Sequence, residues 1–328
     1  MELADEIREA TWKDFLESQS ESSIFQSPAL YRVYEKTSGF RPFVFASEAG
    51  NEIRALVSGA IVSISTGKLG RFASRAVVVG GPIGETSSFA PVLDALDQLA
   101  GKFALCTQIR NLRPPRDRSI FESRGYSWED HLNFIMNLDQ PEELLMRAMS
   151  KARRKAVETG NRTGLALVEV GSEELASAYE LLHQTHSRAG IPLADQSLFR
   201  NALEILGESG QLWALGASRS GSLCAVRFVL RWKTTLFDWY AGSSQIGRAS
   251  HADEWLVWQV FLKGIQAGCI DFDFGGAGKP GSGYGPGEFK RRFGGRSVDP
   301  GRFTKTYHPL ALRTAETMYR LWRMWRET

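Results

Sequence analysis

The stretch from Ile270 to Gly295 constrains this chain most. It reads Ile270-Asp271-Phe272-Asp273-Phe274-Gly275-Gly276, then a Gly/Pro-rich segment, then Gly287-Glu288-Phe289-Lys290-Arg291-Arg292-Phe293-Gly294-Gly295. Ile270, Phe272 and Phe274 alternate with Asp271 and Asp273, the period-two pattern of a half-buried strand. The paired glycines end that strand and let another backbone or a ligand come close. Residues 275–287 contain seven glycines and two prolines, so no regular element is expected there. Three cations then sit between Phe289 and Phe293. Either the rings anchor a short turn whose cations meet an anion, or this is a solvated basic turn.

The rest of the chain alternates strands and helices in two rounds. With 328 residues it exceeds an ordinary single core, so two domains are expected. In the first round Ser27 caps a helix with Pro28 at its first position. Strands follow at 42–48, 53–65 and 76–80, a helix at 90–99 and strands at 103–110 and 133–138. The second round opens with a helix over 141–159 carrying the basic run Lys151, Arg153, Arg154, Lys155. Strand 165–170, helices 173–187 and 196–208, strands 212–218, 222–231 and 234–241 and a long apolar helix over 251–267 lead into the opening stretch. This order is that of an α/β (α+β) protein. The expected boundaries are 1–138 and 139–305, with a final helix over 306–328. That helix interleaves Trp322 and Trp325 with Arg320, Arg323 and Arg326. It either packs back on the first domain or lies on an anionic membrane surface.

Composition narrows the classes. A net charge of +3 makes any anion site local, and nothing points to DNA. Cys106, Cys224 and Cys269 lack Cys-x-x-Cys spacing, which excludes a disulfide framework and suits a reducing compartment. No run of about 18 apolar residues is present, and the acidic start is not a signal peptide. A cytoplasmic protein is expected, with peripheral contact at the inner membrane face as an option. His183 and His186 are three apart but have no third ligand at recognisable spacing, so no metal is expected.

Asp-Phe-Asp-Phe-Gly-Gly followed by Phe-Lys-Arg-Arg-Phe-Gly-Gly resembles the signature of the FemA/FemB-like (FemABX) peptidyltransferases. Met149-Ser150-Lys151-Ala152-Arg153-Arg154-Lys155 with Gly160 is similar to that family's segment leading into its second domain. Thr185-His186-Ser187-Arg188-Ala189-Gly190 resembles its Thr-x-x-Arg-x-Gly, and Tyr240-Ala241-Gly242 its Tyr-x-Gly. Phe25-Gln26-Ser27 with Val79-Gly80-Gly81-Pro82 resembles its first domain. The resemblance implies two tandem acetyltransferase-like (GNAT) domains that move an acyl or aminoacyl group onto an amine. In the cell-wall branch the donor is aminoacyl-tRNA and the acceptor an anionic envelope precursor. Leu30 and Tyr34 stand near positions where that branch carries Trp and Lys, with Lys36 close by. A basic residue expected after Thr-x-x-Arg-x-Gly is missing in Pro192-Leu193-Ala194-Asp195. Gln245-Ile246-Gly247-Arg248-Ala249 is one residue short of the coenzyme A loop and reads as a plain loop.

Acyl transfer to an amine passes through a tetrahedral oxyanion, which a fixed cation stabilises by about 3–4 kcal/mol. Lys290, beside Phe289, is the candidate; otherwise it is a surface lysine. Tyr240 either carries a proton or packs in the core. Arg153, Arg154 and Arg188 either bind phosphates or form solvated faces. Asp271 and Asp273 are expected to pair with loop amides or basic groups rather than act as a base, and Asp273, Gly275, Gly276, Phe289, Arg291 and Lys36 are expected to line the substrate site. No permanently bound cofactor is expected. The donor is aminoacyl-tRNA or acyl-CoA. The competing functions are an acyl-CoA-dependent N-acyltransferase in polysaccharide or lipid-linked glycan modification, and a non-catalytic RNA- or anion-binding module.

Overall fold

Gln26 ties the start of the chain together. Its side-chain oxygen accepts from the Ser23 backbone N–H at 2.8 Å, and its amide donates to the carbonyls of Val79 and Gly81 at 3.4 and 3.3 Å. Two motifs 53 residues apart in sequence thus meet. The computed structural model describes residues 2–3, 7–50, 52–63, 74–281, 285–314 and 317. Two compact units emerge, one of residues 1–130 with 300–328, the other of residues 131–299.

The first unit begins with β1 (Glu2–Leu3), α1 (Glu9–Ser18) and α2 (Pro28–Glu35). Ser27 caps α2, accepting from the Leu30 N–H at 3.1 Å, with Pro28 where no intrahelical donor is needed. Then come β2 (Phe40–Ala49), β3 (Glu52–Ser63), β4 (Ser74–Val79), β5 (Ile83–Gly84), α3 (Phe89–Phe103), β6 (Cys106–Arg110), α4 (Ser119–Glu122) and β7 (Ser127–Glu129). β2, β3 and β4 are antiparallel neighbours, and β6 lies parallel to β4 across the α3 crossover. Val57, Val78, Leu93, Leu96 and Ile109 are fully buried between α3 and the sheet. Each contributes about 1.5–3 kcal/mol of hydrophobic stabilisation. β6 starts later than the expected residue 103 because α3 runs on to Phe103.

The second unit contains β8 (Asn133–Asn137), α5 (Glu142–Ala148), α6 (Lys151–Arg162), β9 (Leu165–Glu169), α7 (Leu175–Ala189) and α8 (Gln196–Ala202). These are followed by β10 (Leu212–Arg219), β11 (Ser222–Trp232), β12 (Thr235–Ser243), α9 (Gln245–Ala249), α10 (Ala252–Gln266), β13 (Asp271–Gly276), α11 (Gly285–Arg291) and β14 (Arg296–Val298). The sheet order is β14-β8-β13-β12-β11-β10-β9. The expected helix over 141–159 is two helices. Met149 is extended, and the Ser150 side chain accepts from the Arg153 N–H, capping a new start. Gln245–Ala249 is a short helix rather than a loop, because Ser244 caps it through the Gly247 N–H at 3.0 Å. Phe272, Phe274 and Phe293 are buried around Phe261 of α10. The opening strand is not half-buried as expected: Asp273, on its other face, is only 5% exposed.

The observed division differs from the expected domain boundaries at both joints. Residues 133–137, expected in the first domain, form β8 between β13 and β14 of the second sheet. After β14 the chain returns as β15 (Arg302–Thr306), which pairs with β6 and β7 of the first sheet. Pairing across sequence distance, not chain order, sets these edges. Residues 309–314 are helical. The docking or membrane contact expected of the rest of the final helix lies outside the described residues. Among those described, no helix is long and apolar enough to cross a membrane.

Candidate active site

β13 and α11 bring Lys290 to the end of the glycine-terminated strand. Its Nζ donates to the Gly276 carbonyl at 2.7 Å, fourteen residues back. One of three ammonium donors is thereby committed, which fixes the charge in place. Beneath it Asp273 is locked. Its carboxylate accepts from the Gly275 N–H at 2.7 Å and from the Asn133 amide at 3.3 Å on each oxygen. Burial pushes the Asp273 carboxyl up to about 6, against the pull of these donors and of the Lys290 charge. Gly275, Gly276 and Asp273 therefore serve the lysine and its strand as support. Phe289 packs on Phe293 with ring centres 5.3 Å apart, as an anchor of the turn should. The turn itself is helical. Arg291 is held on its exposed face by two hydrogen bonds to Glu288, at 3.0 and 2.7 Å. Gly294 closes the element at φ +90°, and a Cβ there would lie 2.2 Å from the Ala148 carbonyl oxygen.

Arg153, expected at phosphates, is buried, and Arg154, expected there too, is half-buried. Arg153 is 6% exposed. It pairs with Glu254 at 2.6 Å and donates to the Phe289 carbonyl at 3.4 Å. Its guanidinium carbon lies 4.3 Å and 4.7 Å from the ring centres of Phe289 and Phe293. Arg154 donates to the carbonyls of Arg147 and Met149, closing the α5–α6 junction. The break at Met149 and the cap at Ser150 set the start of α6 so that these contacts form. Of the expected cations, Arg188 remains exposed, with Arg248 and Asp253 within electrostatic range. Desolvation and the like charge of Arg248 lower its guanidinium. Lys36 is exposed at the C-terminal end of α2, in the first unit.

Tyr240 lies on β12 beside a β-bulge. Phe228 pairs with Tyr240 and Val229 with Asp238, so Trp239 is the extra residue. The Tyr240 ring packs against Phe199 at 4.8 Å and His186 at 5.7 Å. Gly242 follows because α7 presses on the strand: a Cβ would meet the Leu181 backbone at 2.6 Å. β12 and β13 run parallel but pair only over Thr235–Phe237 with Asp271–Asp273. Three of the core site residues thus lie where this pairing ends: Asp273, Gly275 and, through Gly276, Lys290.

Sequence reasoning missed the residues that frame this site. Arg227, 1% exposed on β11, donates to Asp238 and Asp253, each at 2.5 Å. Burial opposes its charge, and the two carboxylates overcome that and hold it protonated more firmly than usual. A lone arginine inside Cys224-Ala225-Val226-Arg227-Phe228-Val229-Leu230 was the available signal, since a buried cation demands partners. Glu254 and Asn133 gave none. Among the described residues no cluster of His, Cys, Asp and Glu could hold a metal.

Residues 145–291 match the family described as Acetyltransferase (GNAT) domain. With the fold of the second unit, that match likens residues 145–291 to a GNAT acetyltransferase domain. The whole chain has the fold of a structure described as FemX, with 14% identity and a TM-score of 0.71 over 98% of this chain and 100% of that one. It is also similar to a tandem GNAT protein from the clavulanic acid biosynthesis pathway, at 11% identity and a TM-score of 0.59, covering 93% and 99%. The C-terminal domain of a putative lysylphosphatidylglycerol synthetase from Agrobacterium fabrum shares 15% identity, at a TM-score of 0.57 and coverage of 94% and 95%. No curated protein matches the sequence. The expected FemABX-like, tandem-GNAT resemblance holds at the level of fold.

Proposed function

We propose that this protein transfers an aminoacyl group from aminoacyl-tRNA to an amine on an anionic cell-envelope precursor. The observation that carries this reading is the Lys290 ammonium, anchored on the Gly276 carbonyl at 2.7 Å beside the buried Asp273. The amine nitrogen forms a bond to the ester carbonyl carbon, and the carbonyl electron pair moves to oxygen. Lys290 stabilises that oxyanion through N–H donors fixed before the reaction. Collapse breaks the ester C–O bond; the nitrogen gives up a proton, and Tyr240 relays it to the leaving oxygen. The fold shared with FemX and with the lysylphosphatidylglycerol synthetase domain supports an aminoacyl donor. On this reading the protein works in the cytoplasm, at the inner membrane face. A second reading, transfer from acyl-CoA, is favoured by the acetyltransferase-domain match over 145–291.

Thermal melting and calorimetry of the full chain with charged tRNA, uncharged tRNA and acetyl-CoA decide between the two. A ligand that binds only the folded state raises the melting temperature. Stabilisation by charged tRNA that fades with salt, as phosphate contacts do, is the expected result. Stabilisation by acetyl-CoA alone replaces the donor with a thioester.

A further inference from the structure

We infer that Asp253 and Glu254, neighbours in the first turn of α10, are positioning residues that hold Tyr240 and Lys290 in place through two arginine struts. This inference rests on the proposed roles of those two side chains and goes beyond them.

One strut runs from Glu254 to Arg153 at 2.6 Å and on to α11. There the guanidinium rests against the rings of both Phe289 and Phe293 and donates to the Phe289 carbonyl. Phe289 is covalently next to Lys290, so the strut fixes the lysine's backbone while Gly276 fixes its ammonium. The other strut runs from Asp253 to Arg227 and on to Asp238, with both contacts at 2.5 Å. Asp238 stands immediately before the bulge residue Trp239 and two residues before Tyr240. A bulged strand lacks one regular ladder contact, so its register needs another restraint.

Both struts start on one rigid helix. Leu256, Val257, Val260 and Phe261 of α10 are fully buried, so its first turn is a firm base. Arginine suits the part because its planar fork engages a carboxylate and a second partner at once. Acids at a helix start also complement the dipole. That role alone explains neither the near-complete burial of both arginines nor the destination of each strut.

Chemical modification tests the struts without any substrate. Full-length wild type, Glu254→Gln and Asp253→Asn are treated with N-hydroxysuccinimidyl acetate for lysines and N-acetylimidazole for tyrosines, and sites are mapped by mass spectrometry. Losing one charge-assisted hydrogen bond should raise the Lys290 rate about tenfold in Glu254→Gln. Tyr240 should respond in Asp253→Asn and not in Glu254→Gln, with Lys13 and Lys102 unchanged in both. Unchanged Lys290 and Tyr240 rates in variants that melt like wild type would overturn the inference. If either amide variant unfolds, Glu254→Asp and Asp253→Glu keep the charge and change only the reach, and the same two rates are read. In the transfer assay each strut variant should lower kcat about tenfold or more at unchanged KM, as misplacement does. Lys290→Ala in the same assay tests the proposed function separately. If it retains full activity that reading fails, while the modification rates still decide the struts.

Discussion

The Lys290 Nζ sits 2.7 Å from the Gly276 carbonyl oxygen. The cation is therefore placed by the end of β13, not by solvent. Removing it should cost the reaction its oxyanion partner and leave the core untouched, since the side chain is only partly buried. Lys290→Ala is expected to lower kcat by at least about tenfold, toward the roughly hundred- to thousand-fold cost of losing an oxyanion donor. A transfer assay beside a circular dichroism melt checks both halves of that statement.

Arg153 is a stability prediction as well. It is a nearly buried cation resting against two rings, with its partner Glu254 only 19% exposed. Arg153→Ala should destabilise the second unit by about 3–5 kcal/mol, because the carboxylate loses its partner inside the protein. Arg153→Met, which refills the volume, should recover part of the loss. Urea unfolding of the two variants gives the comparison.

Asp273 should leave a pH signature. Its carboxyl is raised in the folded state from 3.8 to about 6, so the folded protein binds the proton more tightly than the unfolded chain does. Stability therefore rises as pH falls from 7 through 6 toward 4, and the charged form costs roughly 3 kcal/mol above pH 6. Lys290 and Asp238 are the charged groups that act on it. In Asp273→Asn this component should vanish, making the variant gain on wild type as pH rises from about 4 to about 7 and no further above that. Unfolding midpoints across that range, at constant salt, measure it.

In the first unit Asp97 is a hub. Tyr126 and Tyr307 each donate to Oδ1 at 2.7 Å, and Lys305 pairs with Oδ2 at 2.6 Å. Asp97→Ala strips the buried Tyr126 hydroxyl and the Lys305 ammonium of their acceptor, while the Tyr307 hydroxyl keeps Thr107 at 2.9 Å. A loss of about 3 kcal/mol or more is expected. Amide exchange should quicken first in β15, the strand that carries Lys305.

Much of this was legible in the chain because it depends on local rules. Ser27-Pro28 announced α2, the alternating aromatics announced β13, and Phe289 with Phe293 announced an anchored turn. Lys290 stood out as a cation between those anchors. Pairing partners were not legible. Residues 133–137 read as the last strand of a first domain, yet their ladder is with β13 and β14.

The motifs carrying Lys290 and Tyr240 stood out through a family resemblance; the sequence by itself determined the element types and the α/β class. Those follow from periodicity and capping over a few residues. Only the tertiary structure decided what each charge does. Arg153 and Arg154 have the same composition, and the same helix, as a phosphate-binding patch would. The break at Met149 and the cap at Ser150 turn them onto Glu254 and onto backbone carbonyls instead. Arg227, Asp238 and Asp253 come from β11, β12 and α10 and form one buried network. A charge's role is set by who meets it when water is excluded, and that meeting spans distances no local pattern encodes.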